Sequence, residues 1–195
     1  MKRKNYKPLT TLVVLAVAAF VAAAFTFTNV TYWVINATRP PAVSQAGNDV
    51  AAGGGEYVNV GYYYDPVRGV NITRISILGF KGYPVNYTSV IKVCNRHSSN
   101  TIQATLVWVG QVGSTGYEGY IKSFLVGRAV SGSNIVGVGF VGTSTYSTAG
   151  PYSIGPGQCI DIGAYVVIDP TLPDALADGR TVLGQYQVDI RMDVP

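Results

Sequence analysis

Histidine is nearly absent from this sequence, and its scarcity excludes most catalytic and metal-binding sites. The one histidine, His97, stands in the loop "CNRHSSN". A zinc protease needs an H-E-x-x-H pair or equivalent ligands, and a blue-copper site needs two histidines and a cysteine. No G-x-S-x-G motif marks a nucleophile. We therefore predict that the protein is not an enzyme, that it holds no metal or cofactor, and that His97 is a solvated loop residue.

The N-terminal segment has no acidic residue and carries an export pattern. Its four basic residues are Lys2, Arg3, Lys4 and Lys7. An apolar run from Leu9 to Val21 follows, and Ala22-Ala23-Ala24 offers the small residues that a signal peptidase requires. The pattern predicts a signal peptide over residues 1–24 and a mature chain that begins at Phe25. The alternative is a retained anchor, because the apolar run extends to Phe27 and approaches the length that spans a bilayer.

The net charge of the chain resides in that export segment. The formal charge is +4, from 14 Lys+Arg and 10 Asp+Glu. Without the four basic residues of the signal, ten cationic residues balance ten acidic ones. No basic surface is left to neutralise phosphates, so we expect no nucleic-acid partner.

Glutamate and helical periodicity are scarce, whereas strand signals recur along the chain. Among 195 residues there are 23 Gly and 14 Tyr, a composition that favours strands and turns. Alternation is clearest near the C-terminus, where one face carries Val182, Tyr186, Val188, Ile190, Met192 and Val194. Further strands are predicted at 57–64, 70–78, 88–94, 101–108, 118–127, 135–141 and 160–168, and one short helical turn within 170–179. Residues 57–195 are thus predicted to form an antiparallel, jelly-roll-like all-β sandwich.

The sequence has two cysteines, Cys94 and Cys159. In an exported chain we predict that they form a disulfide. The bond would close a loop of about 65 residues and stabilise the fold by about 4 kcal/mol. Two buried thiols or two metal ligands remain as alternatives.

Residues 25–38 form a β-prone segment that stands apart from the domain. We predict a linker over 39–56, with Pro40-Pro41 stiff and Gly53-Gly54-Gly55 flexible, which sets the spacing between subunits. A sheet that lacks one strand exposes an edge and an apolar groove, and an extended segment of a neighbouring copy can fill both. Repetition of that contact builds a fibre. The candidate anchors of this donor strand are Val30, Tyr32 and Val34 on one face and Phe27, Trp33 and Ile35 on the other.

Four N-x-T sequons predict N-glycosylation of an exported chain, at Asn29, Asn36, Asn71 and Asn86. Asn29 and Asn36 lie on opposite faces of the predicted donor strand. Either a bulge shifts its register or one of the two carries no glycan. The alternative for all four is that Asn and Thr are simply common in β loops.

Tyrosines cluster in two places, at Tyr57, Tyr62, Tyr63 and Tyr64, and at Tyr83 and Tyr87. Tyrosine combines apolar area with a polar tip, so the group is suited to bind sugars or neighbouring subunits. Lateral bundling of filaments through exposed tyrosines is one hypothesis. The alternative is that half of these residues lie in the core.

The order of these segments resembles a known class of exported proteins. The signal peptide and following strand, then "GVNITRISILGF", "YTSVIKVCN" and "IGPGQCIDIGAYVVID", are similar to the TasA/camelysin class, in particular to the archaeal bundling-pilus and thread subunits. Residues at matching places are Tyr87, Val90, Asn95, Gly155 and Gly157. The resemblance implies a pilin that donates its N-terminal strand within a glycosylated extracellular filament and helps cells adhere in biofilms.

Three functions follow from these patterns. The first is a donor-strand pilin, a homopolymer whose other partners are adjacent filaments in bundles and, during export, signal peptidase and the glycosylation machinery. The second is a monomeric or membrane-anchored cell-surface adhesin, whose N-terminal strand folds back on its own sheet. The third is a type IV-like pilin that retains the apolar helix. It is disfavoured because "KRKNYKPL" offers no small residue for that cleavage.

Overall fold

The computed structural model describes residues 42–52, 54–67, 70–130 and 134–193, and strands make up most of this part of the chain. In chain order they are β1 Ala42–Ala46, β2 Val58–Asp65, β3 Val70–Ile77, β4 Pro84–Asn95, β5 Ile102–Gln111, β6 Ile121–Val130, β7 Asn134–Val141, β8 Ser144–Tyr146, β9 Thr148–Ile154, β10 Cys159–Ile168 and β11 Tyr186–Asp193. One short α-helix, α1, spans Asn48–Ala52, and 3-10 turns span Glu118–Tyr120 and Asp174–Leu176. The predicted all-β class is confirmed, as is a helical turn within 170–179.

The strands form two layers around one core. One layer is a six-stranded sheet in the order β1-β4-β10-β6-β7-β8. The other consists of a three-stranded sheet, β11-β5-β9, and a separate β2-β3 hairpin. Neighbouring strands run antiparallel. Fully buried side chains come from every piece, including Val93 and Ile162 of the first layer, Leu106 of the three-stranded sheet and Val58 of the hairpin.

The alternation predicted near the C-terminus is confirmed over β11. Val188, Ile190 and Met192 pack against the core; on the alternate positions Gln187, Arg191 and Asp193 are exposed and Asp189 is half-buried. In a strand, successive side chains point to opposite faces, so a period of two places every second residue inside.

The predicted linker is wrong for residues 42–52. Residues 42–46 pair with β4 as strand β1, from Ala42 opposite Asn95 to Ala46 opposite Ile91. Helix α1 then packs on β4, and Val50 contacts the core. These residues belong to the folded domain, which therefore begins before residue 57.

Hydrogen bonds around the buried Ser89 hold α1 in place. The Ser89 hydroxyl accepts the N–H of Asn48 at 2.9 Å and donates to Asp161 Oδ1 at 2.5 Å. The Ser89 N–H donates to Asp49 Oδ2 at 2.7 Å. Composition alone indicated a flexible segment because it does not report such long-range bonds, which connect residues about 40 positions apart.

Strands β8 and β9 were not predicted. Strand β8 has three residues, too few for a visible alternation, and β9 contains Gly150 and Pro151. Glycine and proline usually mark turns, and proline enters sheets mainly at their edges. Strand β9 is such an edge of the three-stranded sheet.

Candidate strand-accepting edge

Strand β11 is one of three eight-residue edge strands in the described part of the fold, together with β2 and β3 of the two-stranded hairpin. Of the remaining sheet edges, β8 has three residues, β1 has five, and β9 contains Pro151. Strand β11 has eight residues and contains neither proline nor lysine, the residues that most often protect edges. Its length and composition suit the addition of another strand.

The hydrogen bonds of β5 show which way the backbone of β11 faces. The N–H of Trp108 donates to the carbonyl oxygen of Ser147 at 2.9 Å, on the β9 side of β5. Since backbone groups alternate in direction along a strand, the neighbouring Val107 faces β11, where it lies opposite Asp189. Asp189 therefore exchanges its backbone hydrogen bonds with β5.

The residues on either side of Asp189 turn their backbone groups away from β5. By the same alternation, Val188, Ile190 and Met192 direct N–H and C=O to the open side of β11. No strand within the described ranges pairs with that side. Their side chains contact the core but are half-buried, whereas Leu106, opposite Ile190 on β5, is fully buried. The open side of β11 thus combines free backbone groups with incompletely covered apolar side chains.

The second layer is interrupted between the three-stranded sheet and the hairpin. Strands β5 and β9 pack on β7, and Tyr186 at the start of β11 contacts Phe124 of β6 and Phe140 of β7, with ring centroids 5.3 and 5.5 Å apart. The hairpin packs instead near β4 and α1.

Four aromatic rings fix the start of β11. Tyr186 stacks on Trp108 at 5.4 Å and contacts the edge of Phe140 at 5.5 Å, in addition to Phe124. All four rings are half-buried. Burial, with a smaller effect of the Glu118 charge, raises the pKa of Tyr186. The hydroxyl therefore stays neutral across the physiological range, and β11 begins in a fixed position.

The disulfide predicted between Cys94 and Cys159 is confirmed, which excludes free thiols and thiolate metal ligands. The two residues lie directly opposite each other on β4 and β10, with Cα atoms 4.0 Å apart. Val43 of β1 lies opposite Cys94 on the other side of β4. The bond thus links the strands next to the place where the N-terminal chain enters the domain at Ala42.

Asn95, beside that bond, organises two loops, a role that the resemblance naming this residue did not predict. It is 1% exposed, and its amide nitrogen donates to the carbonyl oxygens of Asn100 at 2.8 Å and Ile154 at 2.9 Å. Its side-chain oxygen accepts the N–H of His97 at 2.8 Å. His97 is itself half-buried, and its Nδ1 accepts the N–H of Asn100 at 3.1 Å. The prediction that His97 is a loop residue is confirmed, but the residue is half-buried and not fully solvated, because its hydrogen bonds close this loop.

Five of the six tyrosines in the predicted group are exposed. They are Tyr57, Tyr62, Tyr63, Tyr64 and Tyr83. Tyr87 is buried, and its hydroxyl donates to the carbonyl oxygen of Leu78 at 2.7 Å. From Gly61 to Tyr64 the residues of β2 are exposed on both faces, and the Arg74 guanidinium lies 5.3 Å from the Tyr63 ring centre. The outer half of the hairpin is thus an aromatic ribbon in solvent.

Several predicted features lie outside the described residues. These are the signal peptide, the donor segment with Phe27, Val30, Tyr32, Trp33, Val34 and Ile35, and the sequons at Asn29 and Asn36. The backbone of Asn71 lies in β3 opposite Tyr64, and Asn86 is exposed on β4. Within the described ranges no three His, Cys, Asp or Glu residues are grouped as metal ligands would be. No helix in those ranges is both long and apolar enough to cross a bilayer.

No protein-family model matches the chain, and a search of curated proteins finds no significant match in sequence. The fold and the sequence are therefore the observations that bear on its function.

Proposed function

We propose that the chain is the structural subunit of an extracellular filament, in which residues 25–38 of one copy add as a strand to β11 of the next. The domain, a sandwich of the jelly-roll type by its resemblance, accepts that strand. Because the donor segment and the accepting edge are different parts of one chain, the contact repeats from copy to copy without closing.

The open side of β11 carries this proposal. Val188, Ile190 and Met192 offer N–H and C=O groups on that side, together with half-buried side chains. An added strand would hydrogen bond to these backbone groups and cover the side chains at the same time. The donor sequence supplies alternating apolar residues on both of its faces, so either register places large side chains against this edge.

The path of the chain into the domain favours donation to a neighbour. Since β1 begins at Ala42, the tether between the donor segment and the domain is residues 39–41, not the 18-residue linker of the sequence prediction. Three extended residues span about 10 Å. Pro40 and Pro41 favour an extended path and oppose a reversal within that distance. We therefore expect so short and stiff a tether to favour donation to the next copy over a return to its own sheet.

The position of the disulfide suits a subunit under tension. A pull on the donor segment is applied to β1 at Ala42 and passes to β4 through their hydrogen bonds. The bond from Cys94 to Cys159 carries that force on to β10 in the middle of the sheet. The disulfide between Cys94 and Cys159 keeps β4 and β10 paired when the filament is stretched.

The cellular role follows from the export pattern and the resemblance. We place the filament outside the cell, secreted after removal of residues 1–24, with glycans on its sequons. Cell–cell adhesion in biofilms, through bundles of filaments, is the role that the resemblance to archaeal bundling pili supports. The exposed tyrosines of the hairpin are suited to contacts between filaments.

Electron microscopy of secreted full-length protein with two matched double variants tests this function. Trp33→Ser with Ile35→Ser removes anchors from one face of the donor segment, and Tyr32→Ser with Val34→Ser removes them from the other. We expect fibres from the wild type and from one double variant, and folded monomers from the other, because only one face meets the acceptor. Monomers from the wild-type protein would favour the surface adhesin with a folded-back strand.

A further inference from the structure

The sequon at Asn86 lies on the outer face of the six-stranded sheet. Its neighbours in β4, Val85 and Tyr87, both face the core. The alternation of the strand therefore turns Asn86 outward, and the residue is exposed. Thr88, which completes the sequon, is half-buried and follows Tyr87 where the pairing of β4 with β10 shifts register.

The backbone around Asn86 is bordered by a described strand on one side only. Strand β1 pairs with residues 91–95 of β4 and ends there. Over residues 84–87, β4 is paired with β10 alone among the described strands. The sequon thus lies at an open part of the sheet border, where an enzyme can reach it.

A row of uncharged residues extends from Asn86 across the outer face. Tyr165 of β10 lies directly opposite Asn86, and Leu125 of β6 lies opposite Tyr165. Gly139 of β7 and Tyr146 of β8 continue the row. Tyr165 and Leu125 are half-buried, and Tyr146 is 48% exposed. Tyrosine rings therefore stand at two places along one line of the sheet.

The adjacent row on the same face has no side chains. Gly163 lies opposite Gly127, and Gly127 lies opposite Gly137. Gly163 and Gly127 are buried, and a Cβ at Gly163 would lie 2.8 Å from Cδ1 of Ile135, so the Ile135 side chain reaches over this row. The surface open to a ligand on this face is therefore the Tyr165 row.

We propose that Asn86 carries an N-linked glycan whose first sugars lie on Tyr165, directly opposite it on β10. The C–H faces of sugar rings pack on aromatic rings, and their hydroxyls remain in water. The inference rests on the export part of the proposed function and not on filament formation. In the modification, Asn86 Nδ2 bonds to the anomeric carbon of an oligosaccharide carried on a lipid phosphate. The bond from that carbon to the phosphate oxygen breaks, the phosphate leaves with the electron pair, and the amide loses one proton.

Mass spectrometry of the exported full-length chain tests the site. Peptides that contain Asn86 are expected to carry a sugar mass in wild type and in Thr88→Ser, which preserves the sequon. The mass should disappear in Thr88→Val, which has the same shape but no hydroxyl. Unmodified Asn86 in folded, exported wild-type protein would overturn the proposal. The mass of the Asn86 peptide can be measured on monomers as well as on fibres. The test therefore gives an answer even if the protein forms no filaments.

A thermal unfolding cycle tests the role of Tyr165 as the surface for the glycan. Tyr165→Ala is made in the wild type and in Asn86→Gln, and Tm is measured for all four proteins. We expect Tyr165→Ala to lower Tm by about 2–4 °C more when the glycan is present. If Tyr165→Ala lowered Tm equally in the wild type and in Asn86→Gln, Tyr165 would stabilise the fold without contacting a glycan, and its role as the glycan's surface would be overturned.

Discussion

Gly127 and Gly137 lie opposite each other on β6 and β7, so close that neither position has room for a side chain. A Cβ at Gly127 would lie less than 3.0 Å from the carbonyl oxygen of Val136, and one at Gly137 would meet the carbonyl oxygen of Val126 as closely. The clash is with backbone, which cannot rotate aside. Glycine, which has no side chain, permits such a close approach of two strands.

We expect Gly137→Ala to destabilise the domain by about 3 kcal/mol, because the added methyl group forces β6 and β7 apart. The matched control is Gly61→Ala on β2, where a Cβ meets nothing within 4 Å. That change should be neutral or slightly stabilising. Denaturant unfolding of the two variants checks the difference, and equal stability would contradict the account of the glycine row.

Loss of the disulfide should lower the free energy of unfolding by about 4 kcal/mol, since the bond closes a loop of 65 residues. The double variant Cys94→Ala with Cys159→Ala and the chemically reduced wild type should agree in denaturant unfolding. If both matched the oxidised protein in stability, the bond would not constrain the fold as argued.

Asp169 should make the domain less stable in acid. Its hydrogen bond with Lys122, together with two from Thr171, lowers the pKa of this carboxyl from 3.8 to about 2. Because the pKa is lower in the folded state, the stabilisation is complete above pH 3.8 and is lost as the pH falls towards 2. In unfolding experiments across this range, Asp169→Asn should show a weaker pH dependence than the wild type. An unchanged acid profile would refute the assignment.

Ile190 tests whether the backbone of β11 takes part in assembly. Ile190→Pro removes the N–H on the open side of β11. Ile190→Ala keeps this N–H, although it removes more side-chain atoms than the proline variant does. We expect fibres from the alanine variant and none from the proline variant, with both domains folded by circular dichroism. Equal assembly of the two folded variants would exclude hydrogen bonding to this edge.

The aromatic ribbon of the hairpin should act between filaments and not within them. Tyr62→Ser with Tyr64→Ser should leave single fibres intact and reduce their lateral bundling in electron micrographs. Their exposed fractions are 52% and 60%, so the replacement removes apolar surface without opening the core. Unchanged bundling would rule out the hairpin as the contact.

Much of the domain was predictable because its signals are local. Period-two alternation identified the inward face of β11, and two cysteines in a chain for which export was predicted indicated their bond. Strand β1 was missed because five small residues between Pro41 and Gly47 carry no distinct period. The accepting edge was beyond sequence reasoning, because whether β11 lies at a border depends on strand order, which is set by contacts far apart in the chain. The hydrogen-bonding role of Asn95 was missed for the same reason.

The most direct test of the central claim is the electron cryo-microscopy structure of fibres assembled from the full-length protein. The account predicts that a strand from residues 25–38 of one subunit is hydrogen bonded to Val188, Ile190 and Met192 on β11 of the next. Fibres in which β11 has no added strand, or in which it pairs with residues 25–38 of its own chain, would contradict it.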